Sequence, residues 1–197
     1  MLNRRFKVIR QWIEPGSRVL DLGCGDGKLL ELLIRDKQVK GHGVEREEEL
    51  VISCISRGIS VFRGNMMNVL QDYIEDSFDY VILSQTIQQV RDPKFVLDEM
   101  LRVGKRAVLS VPNFGYITNR LQLMFWGQMP VHKAIPYQWY DTPNIHFCTR
   151  KDFHSFTKDL GYTILKEEAI NSKDKPVKIM PALFGLEGLY LLEGKAK

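Results

Sequence analysis

The chain contains the segment Arg18-Val-Leu-Asp-Leu-Gly-Cys-Gly-Asp-Gly-Lys-Leu29, in which an apolar strand, a glycine-rich turn and the start of a helix follow one another directly. Glycines at 23, 25 and 27 allow the backbone to reverse and to approach a ligand closely, which a Cβ atom would hinder. Exposed amides at the start of the next helix favour electronegative ligand atoms. The segment therefore predicts a loop that holds a nucleotide-type cofactor.

The spacing of the glycines narrows the choice of cofactor. Dinucleotide-binding loops have the order Gly-x-Gly-x-x-Gly, and the third glycine permits close packing of the helix on the strand. Here Lys28 occupies the position of that third glycine. An NAD-linked reductase is therefore disfavoured.

Asp21 lies at the end of the predicted strand, just before the turn. A carboxylate at this position suits a cationic ligand better than a pyrophosphate. S-adenosylmethionine has an ammonium and a sulfonium group, so Asp21 is predicted to attract its methionine moiety. Gly23, Cys24, Gly25 and Gly27 complete the predicted loop contacts. The alternative is that Asp21 only caps the turn.

The segment Lys40-Gly-His-Gly-Val-Glu45 is predicted to form a second strand that ends in an acid. A carboxylate at this place, about 20 residues past the glycine loop, can accept hydrogen bonds from ribose hydroxyls. Glu45 is our candidate for that role. Alternatively, it is a solvated acid of the next helix, because Glu47, Glu48 and Glu49 follow it and favour a helix N-terminus.

Two further strand ends supply candidate cofactor residues. Asn65 and Met66 follow a predicted third strand, where an amide can pair with adenine and a methionine can pack on its ring. A Gly-Asn pair is also common in ordinary turns. Ser84 follows a fourth apolar strand, at the edge where open parallel sheets bind ligands. Strands that alternate with helices in this way predict a parallel, doubly wound α/β sheet.

The composition agrees with one domain over residues 1–197. The net charge of +4, from 28 basic and 24 acidic residues, is small, so nucleic acid is not expected as a partner. The predicted first helix is basic and alternates with apolar residues, and its charges are expected to form a solvated face. These charges are Arg4, Arg5, Lys7 and Arg10.

The cysteines and histidines lack metal-ligand spacing, so no metal is expected. Three scattered cysteines, Cys24, Cys54 and Cys148, are expected to be packing residues in a reducing compartment. No apolar run reaches the ~18 residues that span a bilayer, and the N-terminus lacks a signal-peptide core. A cytoplasmic protein that does not enter the membrane is the expectation.

Residues 113–149 are predicted to be a cap inserted between the fifth strand and the last long helix. Ile117, Leu121 and Met124 or Phe125 stand at helical spacing beside Trp126. The amphipathic helix that they predict is expected to be either a substrate lid or a docking face. His146 is the candidate catalytic base, although a histidine that only orders the loop fits equally well. The aromatic residues of the cap are candidates for a substrate wall, a partner surface or core packing. They are Tyr137, Trp139 and Tyr140.

The chain resembles class I S-adenosylmethionine-dependent methyltransferases, and more specifically the MetW family of methionine-biosynthesis proteins. Besides the glycine loop, the resemblance depends on four segments, which are Pro112-Asn-Phe-Gly115, Arg120-Leu-Gln-Leu123, Gly127-Gln-Met-Pro130 and Ile135-Pro-Tyr-Gln-Trp-Tyr-Asp-Thr-Pro-Asn-Ile-His146. It implies a Rossmann-like doubly wound, mostly parallel seven-stranded sheet with an antiparallel last strand. It also implies that Asp21, the three glycines and Glu45 contact S-adenosylmethionine.

The chain departs from its relatives at two places. Asn65 stands where many of them have an aspartate against the adenine. The sequence after the fourth strand, Ser84-Gln-Thr-Ile-Gln-Gln-Val90, lacks the Asn/Asp-Pro-Pro-aromatic signature of enzymes that methylate nucleic-acid amino groups. Methylation of adenine or cytosine is therefore disfavoured.

Two functions follow as expectations. The MetW resemblance implies a protein that works beside homoserine O-acetyltransferase and assists or activates it. Our further hypothesis is that S-adenosylmethionine binding senses a downstream product of the pathway, because S-adenosylmethionine is made from methionine. The alternative is a small-molecule O-methyltransferase that acts on a hydroxyl or a carboxylate. The methyl group of the sulfonium is already electrophilic, so methyl transfer demands no particular catalytic residue.

Overall fold

The computed structural model describes residues 3–132 and 134–194. Its strands are β1 (Arg18–Leu22), β2 (Lys40–Glu45), β3 (Ser60–Arg63), β4 (Phe78–Ser84), β5 (Gly104–Pro112), β6 (Thr163–Ile170) and β7 (Glu187–Glu193). Its α-helices are α1 (Arg4–Trp12), α2 (Lys28–Lys37), α3 (Glu48–Ser56), α4 (Met66–Asp72), α5 (Pro93–Val103), α6 (Ile117–Trp126), α7 (Arg150–Asp159) and α8 (Pro181–Phe184), and a 3₁₀ helix spans Ile87–Gln89. The predicted domain limits, residues 1 and 197, lie outside the described residues.

The strands form one sheet in the order β3-β2-β1-β4-β5-β7-β6. Strands β1 to β5 are parallel, and β7 is antiparallel to both β5 and β6. This arrangement confirms the predicted doubly wound, mostly parallel seven-stranded sheet with an antiparallel last strand. The insertion of β7 between β5 and β6 was not indicated by the sequence, because it depends on pairing between distant segments.

The order of the strands reverses between β1 and β4. In the register of this pair, Asp21 lies opposite Ile82 and Leu22 lies opposite Leu83, so both strands end at the same edge of the sheet. Ligands of open α/β sheets bind in the crevice outside the carboxyl ends of the strands at such a switch point. The glycine loop leaves β1 at this place.

Helices cover both faces of the sheet. Alternate residues of a strand point to opposite faces, and in β1 Leu20 and Leu22 belong to one core cluster while Val19 belongs to the other. The first cluster includes buried residues of α4, α5 and α7, and the second includes buried residues of α1, α2 and α3. Burial on both faces explains the continuous apolar sequences of the central strands.

Two of the four basic residues of α1, Arg4 and Arg5, do not belong to the solvated face that the sequence predicts. Arg5 makes two hydrogen bonds to the buried carboxylate of Glu187, at 2.7 and 3.3 Å, and Arg4 pairs with Glu168 at 2.9 Å. Arg10 pairs with Asp36 of α2. The expectation was wrong because the partners are distant in sequence; these pairs attach α1 to β6, β7 and α2.

The segment from residue 113 to residue 149 connects β5 to α7, and α6 is its helix. Buried Asn119 faces the interior of the segment, where its Oδ1 lies 2.7 Å from Nε2 of His132. Tyr137, Trp139 and Tyr140 are exposed by 43%, 72% and 71%, so core packing is excluded for them. No helix within the described residues has the length and apolar character needed to cross a membrane.

Candidate functional site

The glycine loop adopts the backbone conformation that its sequence predicts. Gly23, Gly25 and Gly27 all have positive φ angles, of 67°, 58° and 77°, a region that residues with a Cβ rarely occupy. A Cβ at Gly27 would also lie 2.9 Å from Sγ of Cys54. Glycine at 27 is thus needed twice, for its dihedral angle and for close packing of α2 against α3.

The Glu45 carboxylate holds the loop in place from the end of β2. Its Oε2 accepts a hydrogen bond from the backbone N–H of Gly25 at 2.8 Å. Its Oε1 accepts from the backbone N–H groups of Arg46 and Glu47, at 2.7 and 3.1 Å. Glu45 is 9% exposed, so it is not a solvated acid of the next helix. Both oxygens already accept protein hydrogen bonds, and contact with a ribose would use their remaining lone pairs.

Asp21 is a buried carboxyl group, 2% exposed. Within the described residues it makes no hydrogen bond that would stabilise its charge; burial first, and the negative charge of Glu45 second, raise the pKa of Asp21 to about 8. The backbone N–H groups of Gly23 and Cys24 donate to the carbonyl of Val44 instead, at 2.8 and 3.1 Å. Asp21 therefore does not cap the turn, which was the alternative to a role in binding a cation.

Cys24 and Cys54 are buried beneath the loop, with their Sγ atoms 3.8 Å apart. The Cys54 thiol donates to the carbonyl of Gly25 at 3.2 Å, and burial raises the pKa of both thiols. A Cβ at Gly43 would lie 2.5 Å from Sγ of Cys24, so β2 approaches the loop closely. The two cysteines are packing residues, as predicted. Because the side chain of Cys24 is packed inside, a ligand in the loop would contact the backbone of Cys24.

Asn65 and Met66 lie at the start of α4. The Oδ1 atom of Asn65 accepts a hydrogen bond from the backbone N–H of Met67 at 3.0 Å, so Asn65 is the N-cap of α4. The sequence did not predict this cap. Met66 is half-buried against the first core cluster. The amide oxygen of the exposed Asn65 side chain accepts the capping hydrogen bond, and its NH₂ group remains able to donate to a ligand.

The end of β4 lies beside the glycine loop. Oγ of Ser84 is 3.0 Å from Oγ of Ser110 in β5. The next residue, Gln85, has a positive φ of 56°, and its backbone N–H donates to Ser110. A Cβ at Gly23 would be 3.5 Å from Oγ1 of Thr86, so this turn forms one wall of the cleft at the switch point.

The predicted base, His146, is exposed and lies near the other end of this turn. The backbone N–H groups of Ile145 and His146 donate to the carbonyl of Gln88, at 3.0 and 3.1 Å. These bonds join the segment after α6 to the 3₁₀ helix that follows β4. They bring His146 to the carboxyl edge of the sheet, where its role as a base remains a prediction.

Sequence reasoning missed two buried polar residues at this edge, Gln88 and Asn144, each 7% exposed. Both stand in polar stretches of the sequence, and no periodicity marks either of them for burial. Asn113, which was assigned no role, is also buried: its side chain donates to the carbonyls of Ala182 and Gly185 and thereby attaches the end of β5 to α8. Among the described residues, no three His, Cys, Asp or Glu side chains are grouped so that they could hold a metal ion.

Comparison with known proteins shows the family to which the sequence is related. Residues 3–192 match the family model described as methionine biosynthesis protein MetW. A curated relative, the bifunctional methionine biosynthesis protein MetXA/MetW of Rhodopirellula baltica, is 36% identical over 190 residues. The match covers 91% of this chain but 30% of that protein, and the chain likewise spans less than half the length of the next two curated relatives.

Solved structures share the fold at low sequence identity. A SAM-dependent methyltransferase from Thermotoga maritima superimposes with a TM-score of 0.68 at 18% identity, over 98% of this chain and 88% of that one. A SAM-dependent methyltransferase from Archaeoglobus fulgidus gives 0.68 at 18% identity, over 96% and 91%. At this identity the likeness establishes the fold, which is the one that class I methyltransferases have.

Proposed function

Because the chain belongs to the MetW family of methionine biosynthesis proteins, we propose that it binds S-adenosylmethionine at the glycine loop and acts with homoserine O-acetyltransferase. The observation that carries the cofactor proposal is the buried Asp21 carboxyl, which no cation within the described residues neutralises. The ammonium group of the methionine moiety would supply the missing positive charge. The residues present fit this cofactor, because the unpaired carboxyl of Asp21 adjoins the glycine loop at the switch point of the sheet.

The remaining contacts follow from the position of each residue in the cleft. Backbone atoms of Gly23 to Gly27, with Cys24 among them, would lie along the cofactor, and Glu45 would accept from the ribose hydroxyls. The free NH₂ of Asn65 would donate to the adenine, while Met66 would pack on its ring. Ser84 would face the methionine end. When bound, S-adenosylmethionine supplies an electrophilic methyl group.

The proposed partner rests on the fused relative. The name of the Rhodopirellula baltica protein joins a MetXA part to a MetW part, and this chain matches 30% of it. We take the MetXA part as homoserine O-acetyltransferase and propose that the separate chains associate in the same way. A cytoplasmic location is proposed with it, since three free cysteines suit a reducing compartment.

Exposed apolar side chains in residues 113–149 favour a docking face over a substrate lid. Met124, Phe125 and Trp126 at the end of α6 are exposed by 70%, 64% and 69%. A soluble protein seldom leaves large apolar side chains together in water unless another molecule covers them. Trp139 and Tyr140, whose rings make an edge contact with each other at 5.6 Å between centroids, extend the aromatic character of the segment.

Calorimetric titration tests the cofactor proposal. S-adenosylmethionine and its demethylated product, S-adenosylhomocysteine, are titrated into the wild type, Asp21→Asn and Asp26→Asn. Asp26 is the matched control, because it lies in the same loop but already pairs with Lys28. Loss of one charge-assisted contact predicts at least tenfold weaker binding for Asp21→Asn and little change for Asp26→Asn. Absence of binding to the wild type would contradict the cofactor proposal.

The partner proposal has its own test. The rate of acetyl transfer by the homoserine O-acetyltransferase of the same organism is measured alone, with this chain, and with this chain plus S-adenosylmethionine. We expect the chain to raise the rate and the cofactor to change that effect, as a sensor of a downstream product would. If the rate is the same with and without the chain, the proposed association is contradicted. If the chain raises the rate but S-adenosylmethionine does not change that effect, the proposed sensing is contradicted and the association is not. Mass-spectrometric search for a methylated hydroxyl or carboxylate tests the O-methyltransferase alternative.

A further inference from the structure

A small, partly open cavity lies at the carboxyl edge of β5, next to the 3₁₀ helix. Its volume is about 10 Å³, close to the space that one water-sized group needs. The lining residues come from the 3₁₀ helix, the end of β5 and residues 135–148, and they are Gln88, Pro112, Phe114, Ile135, Asn144, His146, Phe147 and Cys148. No Asp, Glu, Lys or Arg is among these described lining residues, so the cavity is neutral apart from His146.

Two buried oxygen atoms among the lining residues have no hydrogen-bond partner within the described part of the chain. They are Oε1 of Gln88 and Oδ1 of Asn144. Nε2 of Gln88 donates to the carbonyl of Gln85 at 2.8 Å, and this bond fixes which end of the amide is the unpaired one. A buried acceptor without a donor is unfavourable, and native structures rarely leave one so. Two of them beside one cavity indicate a missing donor.

We propose that this cavity receives the primary amino group of a small ligand. Its N–H groups can donate to both oxygens, and it matches the size of the cavity. A hydroxyl group has a single donor and would leave one oxygen unpaired, while a carboxylate has only acceptors and would be repelled. A water molecule has two donors and is the competing occupant that the test below distinguishes from an amine. The rings of Phe114 and Phe147, 5.0 Å apart between centroids, add aromatic surface that attracts a protonated amine.

The position of the cavity connects it with the cleft of the glycine loop. Thr86, which precedes the 3₁₀ helix, lies against Gly23, and Gln88 follows two residues later. The N-cap of this short helix thus lies against the glycine loop, and its second residue lines the cavity. The inference goes beyond the proposed function, because it depends on the two unpaired oxygens and holds whichever cofactor occupies the loop.

The test follows the side-chain amide resonances of Gln88 and Asn144 in the ¹⁵N-labelled full chain. Methylammonium chloride is the probe, tetramethylammonium chloride is the control without N–H donors, and sodium chloride controls for ionic strength. We expect both resonances to move saturably with methylammonium, with a dissociation constant on the order of millimolar for so small a ligand. Neither control salt should produce that change.

Asn144→Leu removes one unpaired oxygen at nearly constant volume. It is expected to weaken methylammonium binding at least tenfold without lowering the melting temperature, since a buried unpaired acceptor is removed. If this variant does not fold, Gln88→Met takes its place, and the same loss of methylammonium binding is expected. Wild-type resonances that do not respond would mean that the cavity holds water alone, and they would overturn the proposal. Equal binding by the folded variant would also overturn it.

Discussion

The Glu45 carboxylate accepts a hydrogen bond from the backbone N–H of Gly25 at 2.8 Å, and this bond ties the end of β2 to the middle of the glycine loop. The same carboxylate accepts from two amides that lead into α3. One side chain thereby fixes the loop and the entry to the next helix. Glu45 is a structural residue of the site whether or not it also contacts a ribose.

The first prediction concerns the removal of this carboxylate. Glu45→Ala leaves the N–H groups of Gly25, Arg46 and Glu47 without their acceptor, which should lower the free energy of unfolding by about 1–3 kcal/mol. Urea denaturation followed by circular dichroism measures the loss. Glu47→Ala is the control, because Glu47 pairs with Arg46 at the exposed surface and should contribute below about 1 kcal/mol. Equal effects of the two substitutions would contradict the role given to Glu45.

The second prediction separates strain from packing at the glycines. Gly27→Ala adds a Cβ at 2.9 Å from Sγ of Cys54 and also forces alanine to a φ of 77°. Gly58→Ala forces a similar φ of 73°, but its Cβ would have no atom within 4 Å. Gly58→Ala should therefore cost about 1 kcal/mol of backbone strain, and Gly27→Ala clearly more. Thermal unfolding of both variants measures the two losses of stability. If the two losses are equal, the Cys54 side chain moves away from the added Cβ at no cost, and the packing role of Gly27 is contradicted.

The third prediction follows from the Asp21 pKa of about 8. The pKa of an aspartate in the unfolded chain is about 3.9, so between about pH 4 and pH 8 the folded protein holds a proton that the unfolded chain has released. Stability contributed by this group is therefore complete at low pH and is lost as pH rises towards 8. We expect the wild type to lose on the order of 2–3 kcal/mol between pH 5.5 and pH 8.5 through Asp21.

Asp21→Asn supplies the comparison for this pH dependence. The amide cannot ionise, so the variant should lose less stability over the same pH range and should exceed the wild type at pH 8.5. Urea denaturation at the two pH values measures both proteins. Parallel pH profiles would mean that Asp21 ionises in the folded state as easily as in water. Ligand affinity should show the opposite trend, because binding of an ammonium group requires ionised Asp21 and should tighten as pH rises from 6 to 8.

The sequence predicted local features of the fold well, because short-range chemistry decides them. The amphipathic helix that the sequence predicts in residues 113–149 is present as α6. The glycine loop and the carboxylate at the end of β2 were also predictable, since their spacing along the chain is part of their function. Whether each of these residues touches a cofactor is a separate matter that the titrations address.

Features that depend on distant segments were not predictable from residue patterns. Arg5 finds Glu187 across 182 positions of the chain, and the place of β7 depends on strand pairing of the same kind. The sequence likewise left two roles open for α6, a substrate lid or a docking face, and the structure exposes Met124, Phe125 and Trp126 at its end.

The last prediction tests that open face as the partner surface. Phe125 and Trp126 are replaced together by serine, and because both are exposed the melting temperature should change little. Affinity for homoserine O-acetyltransferase, measured by biolayer interferometry, should fall at least tenfold, since large aromatic side chains contribute strongly at interfaces. The matched control is Ile52→Ser with Ile55→Ser on α3, where 58% and 61% of the side chains are exposed. If the control pair weakens binding as much as the α6 pair, or if neither pair does, α6 is not the docking face.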